Sequence, residues 1–399
     1  MPDEDPLTWL GELDWRGDHR RFGIKRSDRR YHMAIVGRTG MGKSTLMRAM
    51  MWSDILSGEG FALIDPHGDL AEEIAAFSRR IRAEHLSYFN PAAPDGGLAL
   101  NILEATGTKP HLIASGVLSV FKKLWEDFWG PRLEHVFRNA LLALAGIPGT
   151  TLGDVPRVLL DPSFRRSILS QVSDEKVREF WFQEYDRYTV PFRMQAISPI
   201  LNKIGQFLAI PEVRRVLCQP RSSFDLREIM DEGKIFVANL SRGRLGEDAS
   251  ALLGALLVTK FELAALSRAD ISLRDRRQFY FYVDEFPTLA TPSFAGMLAE
   301  SRKYAVALVV AMQFVDQVEV ELRDALFENV GTLAVFRAGP GSARILAPQL
   351  EVVSKEDLMN LPRYCFYIRL IFDGQPYPPF SGRTVWVEED EDFWGNRSG

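Results

Sequence analysis

Short apolar runs recur along the chain, each closed by a glycine or a polar residue. Met33–Val36, Phe61–Asp65, Lys234–Asn239, Phe279–Asp284, Val306–Ala311 and residues 332–336 follow this pattern, which predicts strands buried on both faces, and Leu86–Phe89 reads as a further short strand. Segments of helical length stand between them. They run from Lys43 to Trp52, stopping near Gly58 and Gly60, then Leu70–Ile81, Asp248–Arg268 and Ser293–Lys303. Alternation of this kind predicts an α/β fold, a mostly parallel sheet with helices on both faces. From Pro110 to about Gln219 strand patterning disappears. Ile113–Trp125, Leu133–Leu144, Val177–Tyr188 and Ile197–Leu208 read as helices, with loops expected at Pro148-Gly149, Asp161-Pro162, Pro191 and Pro211. The division expected is a basic lead-in (1–30), an α/β domain (31–109 and 220–385), an all-helical insert (110–219) and an acidic tail (386–399).

The first buried run leads into candidate chemistry. Tyr31–Leu46 reads YHMAIVGRTGMGKSTL, which holds the complete pattern Gly37-x-x-x-x-Gly42-Lys43-Ser44 between strand and helix. Gly37, Gly40 and Gly42 permit backbone angles and close approach that a side chain would block. Loop amides and the positive end of the following helix would then face anionic phosphates. Gly37, Thr39, Gly40, Gly42, Lys43, Ser44 and Thr45 form the expected nucleotide-binding set, with Lys43 on the β- and γ-phosphates and the Ser44 hydroxyl on a magnesium ion. ATP and Mg2+ are the expected cofactors.

The other buried strands end in further polar groups, where ligands bind in parallel sheets. Asp284 and Glu285 follow Phe279–Val283; Asp284 is expected to hold Mg2+ through water and Glu285 to take a proton from the attacking water. Gln313, after the Val306–Ala311 strand, could sense the γ-phosphate. Asp65, His67 and Asp69 end another strand and could approach the metal or the water. For Asp69 the plainer reading is a cap on the helix that follows.

Composition narrows the class. The chain of 399 residues, 46% hydrophobic and 25% charged, can bury a large core. Its two cysteines, Cys218 and Cys365, exclude a disulfide scaffold and a cysteine zinc site. No apolar run approaches the ~18 residues of a spanning helix, and the acidic start is unlike a signal peptide, so a cytoplasmic location, at most peripheral to a membrane complex, is expected. A net charge of −5 argues against a uniformly basic coat and leaves room for a local basic groove. Candidates for such contacts are Arg16 to Arg30, Arg242 and Arg244 on a glycine-flexed loop, and the aromatic and basic residues of the insert (Trp125, Trp129, Arg132, His135, Arg138, Trp181, Arg193). For the first, a solvated lead-in strand through Phe22 and Ile24 is the plainer reading; for the aromatics, ordinary core. Phe393 and Trp394 in the acidic tail suggest a docking tip.

GRTGMGKS, LIDPHGDL, YVDEFPTL, ESRKYAVALVVAMQ and NVGTLAVFRAG, in this order and around a helical insert, resemble the HerA–FtsK superfamily of P-loop ATPases. Within it the chain is most similar to the type IV secretion and conjugation coupling proteins (TraG/TraD-like). The resemblance spans most of residues 20–385. It implies a RecA-like P-loop NTPase domain, a hexameric ring, and an ATP-driven DNA translocase. It also implies that Lys43 and Ser44 form the first nucleotide motif (Walker A), Asp284 and Glu285 the second (Walker B), and Gln313 the sensor. Arg302 matches the family arginine that reaches a neighbouring subunit's ATP, with Arg337 as its rival. Coupling proteins anchored by N-terminal transmembrane helices differ here, which makes a soluble motor of a mobile-element or defence complex an equal expectation. The alternative function is a ring ATPase whose helical insert recruits or remodels a protein partner.

Overall fold

In a computed structural model of the chain, the described residues are 5–385, apart from 15, 16, 95, 96, 106, 127, 128, 292 and 293. Arg16, Ser293, the acidic tail and its Phe393 and Trp394 lie outside them. Thirteen strands are present among the described residues: β1 Leu7–Leu13, β2 Arg21–Lys25, β3 Met33–Val36, β4 Gly60–Asp65, β5 Leu86–Phe89, β6 Ile235–Asn239, β7 Phe279–Val283, β8 Val306–Met312, β9 Thr332–Val335, β10 Cys365–Arg369, β11 Ile371–Phe372, β12 Gln375–Pro376 and β13 Phe380–Arg383.

Eleven of them form one sheet in the order β2-β1-β13-β10-β9-β3-β8-β7-β4-β6-β5, while β11 and β12 form a small hairpin. From β9 to β5 every pair is parallel. The sheet is therefore mostly parallel, as the buried runs predict. Beyond β9, pairings through β10, β13, β1 and β2 are antiparallel. The lead-in is thus woven into the sheet edge, and Ile24 is buried there.

Strand alternation divides the core between two faces. Met33, Ile35, Phe61, Leu63, Tyr280 and Tyr282 face the helices Lys43–Leu56 and Asp69–Ile81. Ala34, Val36, Ala62, Ile64, Phe281 and Val283 face the opposite way. There they share one core with the helix Glu247–Ser267 and the helices of residues 110–217. Glu247–Ser267, with its following turn to Asp270, is long and apolar enough to cross a membrane, which corrects the expectation that no such run exists; 72% of its most apolar window is buried inside the protein.

The helical region contains Pro110–Leu124, Pro131–Leu144, Val155–Leu160, Pro162–Leu169, Val190–Leu208 and Pro211–Leu217. Pro162, Pro191 and Pro211 stand in first turns rather than in loops, where a missing N–H removes no helical bond. The helix expected over Val177–Tyr188 is broken into Glu175–Glu179, a π turn Phe180–Glu184 and a 3₁₀ turn Tyr185–Arg187. Trp181 and Tyr185 are fully buried at this break, and the change of winding sets both rings inward.

Candidate active site

The carboxyl ends of β3, β4, β7 and β8 converge on a cleft of about 480 Å³ lined by Thr39, Gly40, Gly42, Lys43, Ser44, Thr45, Asp65, His67, Asp284, Glu285 and Gln313, among others. The loop after β3 is shaped by its glycines. At Gly37 a Cβ would stand 2.5 Å from the Phe336 Cβ, and Gly42 adopts φ +122° against the rings of Phe336 and Tyr364. Gly42 leads straight into Lys43–Leu56, whose first turn has no side-chain cap, so its amides remain available to an anion.

Lys43 is buried, and its ammonium donates to the Gly37 carbonyl at 2.7 Å and the Arg38 carbonyl at 3.4 Å. Burial lowers its pKa, opposed by the charges of Asp284 and Glu285. Asp284 is almost fully buried. Its carboxyl is pushed up to about 6, first by burial and then by the negative charges of Asp65 and Glu285. A buried carboxylate and an exposed hydroxyl lining the same cleft are hard oxygen donors that fit a divalent cation; the Ser44 hydroxyl and the Asp284 carboxylate are the candidate ligands for Mg2+.

Glu285 occupies the left-handed region at φ 48°, strained for a non-glycine residue and here held by several bonds. Its amide donates to Asp284 Oδ1 at 2.9 Å, and its carbonyl accepts from Thr288 N at 3.1 Å and Thr288 Oγ1 at 2.9 Å. Its carboxylate accepts from Gln313 Nε2 at 2.6 Å and lies 3.5 Å from His67 Nε2. Burial raises the Glu285 pKa, but the bonds to His67 and Gln313 outweigh it and hold the group below its ordinary value. The same contact raises the pKa of His67. Thr39 Oγ1 donates to Gln313 Oε1 at 2.8 Å. A continuous chain therefore runs from the phosphate loop through Gln313 to Glu285 and His67.

The capping part expected of Asp69 is taken by Asp65. Helix Asp69–Ile81 has Gly68 as its cap and receives no cap from Asp69. Asp65 is fully buried and accepts from His67 N at 2.8 Å and Ala71 N at 2.9 Å. Both of its oxygens thus fasten the turn, because buried amides of the first helical turn must find acceptors.

Arg302 lies on the turn Ser301–Tyr304 immediately before β8, with its guanidinium 4.5 Å from the centre of the Tyr31 ring. Gln313 follows the other end of that seven-residue strand, so about 20 Å separates them at ~3.3 Å per residue. Arg302 does not enter its own chain's cleft. Arg337 is on the cleft side: its carbonyl accepts from Arg38 N at 2.9 Å and its Nε donates to the Leu361 carbonyl at 2.5 Å.

Arg363 and Tyr364, like Arg48 and Glu73, line the cleft without belonging to a motif. Arg363 Nε donates to the Gly40 carbonyl at 2.9 Å, and Tyr364 N to the Met41 carbonyl at 2.9 Å. The long-range docking of β10 beside the phosphate loop brings them in.

The expected basic contacts are mostly committed within the chain. Arg29 is buried against Asp54, Thr8 and Tyr282. Arg26 pairs with Glu59 at 2.9 Å, and Lys25 with Asp373 at 2.5 Å. Arg242–Leu245 is a short helix instead of an open loop; Arg242 donates to Thr288 Oγ1 at 2.9 Å and Arg244 pairs with Glu72 at 3.0 Å. In the helical region Trp125 and Trp181 are core, Arg138 pairs with Glu134 at 2.8 Å, and His135 lies 3.1 Å from Glu184.

Residues 26–104 match the family model described as helicase HerA, central domain, and residues 215–338 that of the type IV secretion-system coupling protein DNA-binding domain. Among solved structures, the plasmid coupling protein TrwB in complex with ADP and Mg2+ aligns with a TM-score of 0.66 at 17% identity, over 96% of this chain and 96% of that one. VirB4 of Thermoanaerobacter pseudethanolicus aligns with a TM-score of 0.66 at 14% identity, over 97% of this chain and 98% of that one. The unbound monoclinic form of the bacterial conjugative coupling protein TrwBdeltaN70 gives 0.66 at 16% identity, over 95% and 89%. At these identities the structural likeness establishes the fold. No curated protein matches the sequence.

Proposed function

We propose, for a chain that belongs to the HerA–FtsK superfamily of P-loop ATPases on the side of the type IV coupling proteins, that it hydrolyses ATP and couples turnover to movement of DNA through a ring of its own copies. The observation that carries this reading is the bonded chain Thr39–Gln313–Glu285–His67 beside Lys43 and Asp284. A phosphate loop alone would suit a kinase equally well. A carboxylate held ionised and joined to that loop through an amide suits activation of water.

In this reading the loop amides and Lys43 take the phosphates, while Ser44 and Asp284 hold Mg2+. The metal, when bound, neutralises charge on the β- and γ-phosphates. Glu285 accepts the proton of the attacking water, and the low pKa set by Gln313 and His67 keeps it ionised at neutral pH. Gln313 shares its amide between Thr39 and Glu285, so a γ-phosphate at Thr39 changes how the base is held. Arg302, remote from its own cleft, serves a neighbouring subunit's site across the ring interface. A guanidinium supplied in trans stabilises the transferring phosphoryl group by a factor of roughly a thousand or more.

DNA as the cargo draws support from the match of residues 215–338 to a family described as DNA-binding. The test is steady-state ATPase with and without duplex and single-stranded DNA. Several-fold stimulation by DNA is expected. Activity indifferent to both forms of DNA would overturn DNA coupling and favour a protein partner on the helical region.

A further inference from the structure

We infer that Lys123, on the helical region, is a positioning residue for Glu285, so that hydrolysis is gated by the seating of that region on the nucleotide domain. The inference rests on the reading of Glu285 as the base.

Lys123 stands in the last turn of Pro110–Leu124. Its ammonium crosses to the segment after β7, donating to the Pro287 carbonyl at 3.0 Å and to the Ala290 carbonyl. Among the described residues it makes no ion pair; Glu319 is the carboxylate whose charge reaches it. A sequestered ammonium without a carboxylate partner is unfavourable unless its donors are well used. Here burial pushes it down to about 8. Its acceptors explain its place: the Pro287 carbonyl lies in the first turn of the four-residue helix Phe286–Leu289 and the Ala290 carbonyl is its C-cap, and helix-terminal carbonyls are favourable partners for a cation.

That short helix begins at Glu285, which serves as its cap in the left-handed conformation. Arg242 grips the first turn through Thr288 Oγ1, which in turn donates to the Glu285 carbonyl. Lys123 grips Pro287 and the C-cap Ala290, on either side of Thr288. Leu289 fixes the turn laterally against Gly254, where a Cβ would stand 2.5 Å from Leu289 Cδ2. The strained backbone of Glu285 is therefore held between a clamp from the nucleotide domain and a clamp from the helical region. Withdrawing Lys123 frees the turn to relax, and with it the direction of the Glu285 carboxylate toward Gln313.

The test compares Lys123→Met and Lys123→Arg with the wild type and with Glu285→Gln, using the full chain. Binding of a fluorescent ATP analogue gives Kd, and steady-state ATPase gives kcat and KM. Lys123→Met is expected to lower kcat about tenfold or more while leaving Kd within twofold, and Lys123→Arg, which keeps charge and donors, to recover at least half of the wild-type kcat. A Lys123→Met kcat within twofold of wild type would overturn the inference. So would a parallel loss in Kd and kcat, which marks general damage to the fold. Near-wild-type turnover by Glu285→Gln would instead overturn the assignment of the base, an outcome that is read without the Lys123 variants.

Discussion

Asp284→Asn should make the nucleotide-free protein more stable while removing its activity. Asp284 is 4% exposed, with its carboxyl pushed from the usual 3.8 to about 6 by burial and by Asp65 and Glu285. A raised carboxyl pKa means that the folded state disfavours the charge. The penalty is fully present above about 6 and fades as pH falls toward 3.8. At ~1.4 kcal/mol for each tenfold change in proton affinity, it amounts to about 3 kcal/mol at pH 7. An amide retains an oxygen for the Glu285 N–H and carries no charge, so a gain of ~1–3 kcal/mol and a melting temperature higher by a few degrees are expected. The assay is a thermal melt at pH 5, 7 and 8, with and without Mg2+ and an ATP analogue. The advantage of the variant should shrink at pH 5. Saturating ligand should narrow or reverse it at pH 7, because ligand at a hundred times its Kd adds ~2.7 kcal/mol to the chain that binds it. A variant that melts below wild type without ligand, or an advantage independent of pH, would refute the reasoning.

Lys43→Ala should abolish productive binding of an ATP analogue, whereas Glu285→Gln should bind it within a fewfold of wild type and lose at least a hundredfold in turnover; near-normal hydrolysis by Glu285→Gln would remove its assigned role. Arg302→Ala should bind ATP yet turn over slowly. Mixing it with Lys43→Ala subunits should restore part of the activity, since some interfaces then pair an intact site with an intact arginine, and the rescue should fade on dilution. Asp54→Ala strands the buried Arg29 guanidinium, and urea unfolding should report a loss of ~3–5 kcal/mol.

The central parallel strands were legible because they are buried on both faces and so have no polar alternation to confuse them. Met33–Val36 and Phe279–Val283 are buried at every position. Their ends were legible too, since the side chains that follow them carry the chemistry. The antiparallel edge was not. β13 is FSGR, with one buried position, and its partners β1 and β10 come from opposite ends of the chain, so its strand character resides in the pairing. Arg363 and Tyr364 were missed for the same reason.

Partnership was the other gap. Arg29 stands in a basic stretch that reads as solvated, yet Asp54 and Tyr282 enclose it only after β7 and the helix Lys43–Leu56 have packed together. Along the chain Asp69, next to the helix, reads as its cap rather than Asp65. The left-handed Gly68 decides between them, by turning the first helical amides toward Asp65.

The central claim is that this site works in a ring closed around DNA. Particle images of the full chain with a non-hydrolysable ATP analogue, recorded with and without duplex DNA, test it most directly. Six-subunit rings are expected, with Arg302 of one subunit facing the cleft of the next and DNA density along the axis. Monomers under both conditions, or rings whose interface leaves Arg302 in solvent and whose channel stays empty, would contradict it.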